Sequence, residues 1–332
     1  MATIRETIRA YRRCMTWKRL QNLWRCEASY ALSLFGIYRM RHRPTFVAIE
    51  PADWCMLRCP ECPVGMRKTD GEHHLFSIGQ LDHFLQENAD TLHTLIFYFQ
   101  GEPLLNKALP EMIHLTKDYG LYTLLSTNGQ LLDRETAKAL TASGLDRIII
   151  SMDGLTQSSY SAYRAGGSVE KAKAALGYLR EEKQIQKADL VIELQCLRLR
   201  SNEREWAALK RQYRQMGADI LTLKTAQFYN YSGGNPLMPT EPRHSRYKQN
   251  KTGEYVLRKK IKNHCHRLWS GCVIDAEGNV LPCCFDKDRE HTFGNIATEP
   301  LPRIWFGGKA RQYREQVMHN RRETAICRNC TE

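Results

Sequence analysis

Apolar runs of four to six residues, each followed by a segment of helical period, recur through the first two thirds of the chain. Residues 45–50, 95–99, 122–126, 147–151, 189–196 and 219–224 read as six buried strands. Between them, Ser77 is placed to cap a helix running to Glu87 and Asp133 opens another running to Ser143. A further helix begins near Asn202 and carries Trp206, Leu209, Tyr213 and Met216 at helical spacing. Parallel strands need crossover helices, so six such units predict an α/β fold, a partial (β/α)6 TIM-like barrel. Ligands then belong at the carboxyl ends of its strands.

Two stretches do not follow this rhythm. Residues 1–44 carry ten Lys and Arg against Glu6 and Glu27, a net of +8, and residues 240–264 carry eight against Glu241 and Glu254, a net of +6. The chain as a whole is +13, so its basicity is confined to these two patches. Within the first, Trp17, Leu20, Trp24, Ala28, Ala31, Phe35 and Tyr38 recur at three- and four-residue steps, with Lys18, Arg19 and Arg25 off the stripe. The pattern predicts an amphipathic helix whose stripe packs against the barrel while its arginines are solvated. Peripheral contact of residues 1–44 with an anionic membrane is the alternative. The second patch lies in residues 226–262 and, with the polar run from Tyr229 to Pro236, reads as a linker or lid.

The densest chemistry is the loop after the first strand, where Cys55, Cys59 and Cys62 form Cys-x3-Cys-x2-Cys. Three soft thiolates without a local fourth suit an iron-sulfur cluster with one open iron better than a closed zinc site. The second strand ends in Gln100-Gly101-Glu102-Pro103, where Pro103 stops the ladder. Together these motifs resemble a radical S-adenosylmethionine (SAM) enzyme, whose signatures are this cysteine loop and a Gly-Gly-Glu-Pro segment; Gln100 stands here for the first glycine.

The resemblance implies a 4Fe-4S cluster at Cys55, Cys59 and Cys62 whose open iron binds SAM. The SAM ammonium group would lie at Glu102, supported by Gly101 and Pro103. Further cofactor-binding candidates are Asn128 after the third strand, Ser151 and Asp153 after the fourth, and Arg164 as partner of the SAM carboxylate. Reductive cleavage of SAM would give a 5'-deoxyadenosyl radical that abstracts a substrate hydrogen atom, with a flavodoxin or ferredoxin as external electron donor.

The tail adds Cys265, Cys283, Cys327 and Cys330, with a hairpin over residues 273–281 turning at Glu277-Gly278-Asn279. A zinc ribbon offers the same parts. The block resembles the SPASM/Twitch extension of radical SAM enzymes, which implies a second, fully ligated 4Fe-4S auxiliary cluster acting as electron relay. Cys272 and Cys284 could replace their neighbours as ligands. In sulfatase-maturating relatives the residue after the corresponding ligand is an aspartate acting as base. Here it is Cys284, a candidate hydrogen donor, with Asp286 two positions on as a candidate base.

The predicted domains are a basic helical extension (1–44), the barrel (45–225), a basic linker (226–262) and a small cluster-binding domain (263–332). Twelve cysteines falling largely into two metal-like sets, and no opening signal peptide, point to a cytoplasmic enzyme with reduced thiols. Glu193, Gln195, Arg198, Lys224 and Gln227 are candidates to face substrate. The segment before the barrel is short for a leader-binding module, which favours oxidation of a small polar, sugar or lipid-linked molecule over peptide modification or epimerisation. The non-enzymatic alternative is a zinc-stabilised protein gripping a polyanion, but nucleic acid is not expected, because neither basic patch interleaves with the cysteine loops.

Overall fold

The computed structural model describes residues 12–66 and 71–331. The described residues form two compact units that interleave in sequence. One comprises residues 54–66, 71 and 125–260, and the other residues 12–53, 72–124 and 261–331. We call them the central and the flanking unit. The six expected strands are present as β1 (Phe46–Ile49), β2 (Thr94–Phe97), β3 (Tyr122–Thr127), β4 (Arg147–Ser151), β5 (Val191–Arg198) and β6 (Ile220–Thr225). The division between the units falls within β3.

In the central unit β4, β5 and β6 pair in parallel, with Ser151 opposite Gln195 and Gln195 opposite Thr222. The helix Val169–Ile185, capped by Ser168, covers one face through Ala172, Ala175, Leu176 and Leu179. Ile150 lies on this face, since a Cβ at Gly129 would touch Ile150, Ala172 and Ala175 at 3.4–3.5 Å. Side chains alternate along a strand, so Ser151, Gln195 and Thr222 share the opposite face.

The segment expected as a linker is folded. Strands β7 (Tyr247–Gln249) and β8 (Tyr255–Leu257) form an antiparallel hairpin. Tyr247 is fully buried, stacks on Tyr231 with ring centroids 4.5 Å apart, and packs in one cluster with Phe228, Met238, Leu57 and Cys59. Its aromatic residues need an apolar partner, and the cysteine loop supplies one.

In the flanking unit β1 pairs in parallel with β2 and also with β9 (Gly271–Ile274), so Val47 lies opposite both Leu95 and Cys272. β10 (Asn279–Leu281) and β11 (Gly294–Asn295) extend this sheet antiparallel. The tail, expected as a separate small domain, therefore joins the sheet of the first strand. Val47, Ile49, Cys272 and Ile274 are all buried, and a Cβ at Gly271 would stand 2.5 Å from the Phe46 carbonyl oxygen, so only glycine allows this approach.

The N-terminal helix Trp17–Leu34, capped by Thr16, is oriented against expectation. Its buried residues are Arg19, Asn22, Cys26, Ser29 and Ser33, whereas Trp17, Trp24 and Phe35 are 71%, 70% and 81% exposed. Arg19 donates to the carbonyls of Ala89, Tyr119, Gly120 and Cys14 at 2.6–3.1 Å. Ala89 and Tyr119 close the helices Ile78–Asn88 and Leu109–Asp118, so one guanidinium satisfies the negative ends of two helices. Asn22 likewise donates to the carbonyls of Arg43, Pro44 and Thr91. These carbonyls need donors that an apolar stripe lacks, and they draw the polar face inward. Among the described residues no helix is long and apolar enough to cross a membrane.

Candidate functional site

The cysteine loop is held from several sides within the central unit. Its turn is closed by the Cys62 amide donating to the Cys59 carbonyl at 3.3 Å, and the Arg58 amide donates to the Ala165 carbonyl at 2.9 Å. Glu61 anchors the loop by accepting from the Tyr229 amide at 2.6 Å and from Asn235 Nδ2 at 3.0 Å. The run from Tyr229 to Pro236 is thus a brace for the loop. Gly65 packs so tightly on it that a Cβ would meet Cys59 N and O at 2.5 Å.

Two of the predicted residues touch the thiols. Asn128 Nδ2 donates to Cys55 Sγ at 3.5 Å and lies 3.3 Å from Met56 Sδ, while Asn128 Oδ1 accepts from the Gln130 amide at 2.9 Å. Arg164 donates through Nε to Asp153 Oδ2 at 2.6 Å and also hydrogen-bonds Cys59. Burial raises the Cys59 pKa and Arg164 opposes that rise. Burial works against the Arg164 charge, yet Asp153 and Cys59 hold it well above the ordinary guanidinium value.

Asp153, fully buried, has both oxygens engaged inside the protein, since Oδ1 accepts from the Leu197 amide at 2.6 Å. Arg164 is held between Asp153 and Cys59, beside the cysteine loop. The pair ties the residues after β4 to β5 and supports the cluster loop, a role that the sequence spacing did not reveal. Ser151 ends β4, buried on the face opposite the helices.

In the flanking unit Glu102 is buried and accepts from the Leu104 amide at 3.2 Å, Pro103 begins the short 3-10 turn that follows, and Gly101 lies just before it. Sequence reasoning missed Glu50. Its Oε1 accepts from the amides of Gln100 at 2.9 Å and Gly101 at 3.1 Å, and its Oε2 from Arg289 at 2.9 Å. Arg289 also faces Asp275 at 3.6 Å and Glu277 at 3.4 Å. Glu50 therefore holds the Gln-Gly-Glu-Pro backbone and links it to the tail. Burial pushes its pKa up to about 7 against the pull of Arg289 and the two amides. A charged residue ending an otherwise apolar strand was the signal.

The four tail thiols share one neighbourhood. Burial raises Cys283 well above the ordinary thiol value, with Cys284, Cys265 and Cys327 adding to the rise. Arg321, in turn, has burial working against its charge, while Cys265, Cys330 and Cys327 raise its pKa, and its Nη2 donates to Cys330 Sγ at 3.1 Å. Cys272 lies apart on β9, where burial raises it to about 12 with Arg314 as its charged neighbour.

The residues proposed for proton or hydrogen transfer are placed differently from each other. Cys284 is half-buried, accepts from Arg267 Nη1 at 3.2 Å, and packs against the cluster of Ala48, Val273 and Leu281. Asp286 is fully buried and accepts from the amides of Glu290 and His291 at 3.1 and 3.0 Å, so it closes a turn. Burial raises its pKa and the His291 contacts oppose this.

The donor sets fit iron-sulfur groups. A tetrahedral zinc site at about 2.3 Å per Zn–S bond brings its sulfurs within about 3.8 Å of each other. Among the described residues, Cys26, Glu27 and His266 are the one set of three potential ligands drawn within 4.8 Å. Three thiolates on one loop and four in the tail match the soft, thiolate-only donor sets of iron-sulfur clusters.

Comparison with known proteins agrees. A family model described as the radical SAM superfamily matches residues 49–191, and one described as the SPASM iron-sulfur cluster-binding domain matches residues 265–331. Residues 49–191 are a radical SAM domain and residues 265–331 a SPASM domain. The fold is the partial TIM-like barrel of that superfamily with a SPASM extension, and the cofactors are SAM and 4Fe-4S clusters. The AdoMet-dependent heme synthase of Nitratidesulfovibrio vulgaris is 31% identical over 138 residues, which are 41% of this chain and 37% of that protein, so the match spans little more than a third of the relative's length. BtrN, solved in complex with AdoMet and 2-DOIA, aligns over 88% of this chain and 95% of its own at 19% identity and a TM-score of 0.55. Streptococcus suis SuiB bound to S-adenosylmethionine aligns over 94% of this chain and 76% of its own at 12% identity and a TM-score of 0.66. At those identities the structural likeness is one of fold.

The candidate substrate-facing residues separate by register. Gln195 and Lys224 lie on the face shared with Ser151, and Thr222, which the sequence did not single out, lies between them. Glu193 shares that face but is bound by Arg147 at 2.6 Å. Arg198 falls on the alternate face, at 3.1 Å from His244 and over the ring of Trp206. Gln227 follows β6.

Proposed function

We propose that this protein is a SAM-dependent radical enzyme that oxidises a small polar molecule by removing hydrogen from a C–H bond. The observation that carries the substrate class is the row Ser151, Gln195, Thr222. Gln195 Oε1 and Thr222 Oγ1 are both buried with no hydrogen-bond partner in the protein. An unmet buried polar atom costs roughly 1–3 kcal/mol, a cost that a ligand bearing hydroxyl or amine groups removes.

When bound, the clusters and SAM supply reductive SAM cleavage, hydrogen-atom abstraction and outer-sphere electron relay to an external donor or acceptor. The chain's own residues hold and orient. Cys55, Cys59 and Cys62 offer three thiolates, Arg164 and Asn128 steady two of them, and Glu102 offers a carboxylate to an ammonium group. Gly101 and Pro103 shape the backbone at that carboxylate, and Ser151 offers a hydroxyl on the substrate-facing row. Cys265, Cys283, Cys327 and Cys330 offer four thiolates and leave no open coordination position, which suits electron transfer rather than substrate binding. Cys284 is a half-buried thiol able to give a hydrogen atom, which supports epimerisation as a second reading.

A tetrapyrrole substrate is the other reading, favoured by the likeness to a heme synthase. Protein reconstituted without oxygen should form 5'-deoxyadenosine from SAM and a strong reductant, and failure to do so would sink the enzymatic reading. Titration with iron-coproporphyrin separates the substrates: a shifted Soret band selects the tetrapyrrole. Gln195→Ala should raise the KM for a polar substrate about tenfold while leaving substrate-free SAM cleavage unchanged.

A further inference from the structure

The N-terminal helix turns its aromatic stripe outward, and the reaction gives that stripe no role. Trp17, Gln21, Trp24, Ala28, Ala31 and Phe35 are all exposed and follow one another at three- and four-residue steps, so they form one continuous strip along the helix. Leu34 and Ile37, each 51% exposed, widen its C-terminal end. An uncovered strip holding two tryptophans and a phenylalanine marks a contact surface.

Charge decides among the occupants. From residue 12 to residue 41 the exposed cations are Arg12, Arg13, Lys18, Arg25, Arg39 and Arg41, against one anion, Glu27. Lys18 pairs with Asp90 at 2.7 Å, and both are largely exposed, while Glu27 is paired with His266 at 2.9 Å. A second copy would bring the same cationic edge against itself. An anionic bilayer offers an apolar phase for the strip and phosphates for its flank. Tryptophan and arginine prefer that boundary, where the indole is half in hydrocarbon and the guanidinium stays in the headgroups.

We propose that the helix Trp17–Leu34 is a peripheral membrane anchor that lies flat on an anionic lipid surface, with Trp17, Trp24 and Phe35 inserted and Arg25, Arg39 and Arg41 among the headgroups. Its inward face is occupied by the hydrogen bonds of Arg19 and Asn22, so docking needs no rearrangement of the fold. The proposal does not depend on the reaction catalysed.

The test is co-sedimentation of the full chain with vesicles of phosphatidylcholine alone or with about one third phosphatidylglycerol, in low and high salt. Binding to the anionic vesicles, weakened by salt, is expected. Trp17→Ser with Trp24→Ser should weaken it at least tenfold, and Arg25→Gln with Arg41→Gln should remove most of its salt dependence. All four side chains are exposed, so unchanged circular dichroism and melting temperature verify that the variants fold. Equal sedimentation of wild type and the Trp variant, no binding to anionic vesicles, or a dimer in light scattering that the Trp variant converts to monomer would each overturn the proposal. Deoxyadenosine formation, which needs no vesicles, separates this failure from that of the enzymatic reading.

Discussion

The two cysteine sets reach their positions by different routes. Cys55, Cys59 and Cys62 stand within eight residues on one loop, so their spacing is a property of the local backbone. Cys265, Cys283 and the Cys327–Cys330 turn come from three separate segments, and Arg321 lies beside three of the four thiols. A local set keeps its ligands near each other even in the unfolded chain, whereas a distant set binds only after the fold has paid the entropy of closing long loops. On the proposed ligand assignment the first set would tune chemistry with little bearing on stability, and the second would cross-link the flanking unit when loaded.

The largest test of this contrast removes one ligand from each. Cys59→Ala should abolish SAM cleavage and lose about four irons with little change in melting temperature, while Cys327→Ala should lose as many irons and melt many degrees lower. Iron analysis and calorimetry on reconstituted protein measure both, and equal melting temperatures would break the comparison. Gly65→Ala comes next. Its Cβ would displace the Cys59 backbone, so the change should cost roughly 2 kcal/mol or more and prevent loading of the first set alone, as visible absorption would show.

A smaller effect follows from Glu50, whose folded carboxyl titrates near 7 because burial favours its neutral form. A raised carboxyl stabilises the fold fully below its unfolded pKa and loses that contribution as pH rises toward about 7. Stability measured by denaturant between about pH 4.5 and 7 should fall with pH from this group, and Glu50→Gln should flatten that slope. Arg289→Lys is the mildest change. It should raise the KM for SAM a few-fold without altering iron content, because one remaining ammonium cannot hold Glu50, Asp275 and Glu277 together.

The legible parts of the molecule share a short range. The strands β1 to β6, the Ser77 cap with its Gln80 partner and the cysteine loop depend on residues within a few positions of each other. The sequence also carried the tail hairpin, because Gly278 at a positive φ of 87° is a local turn requirement. Hidden were the roles that depend on a distant partner. The ion pair of Asp153 with Arg164, the turn closed by Asp286 and the link from Glu50 to Arg289 were not visible in the spacing.

The N-terminal helix shows the limit most clearly. Its period, its cap at Thr16 and its aromatic stripe are written in the sequence, because backbone hydrogen bonding and side-chain spacing are local. Which face turns inward was decided by carbonyls at Ala89, Tyr119 and Thr91, seventy to a hundred residues away, whose need for donors outweighed the burial of two tryptophans.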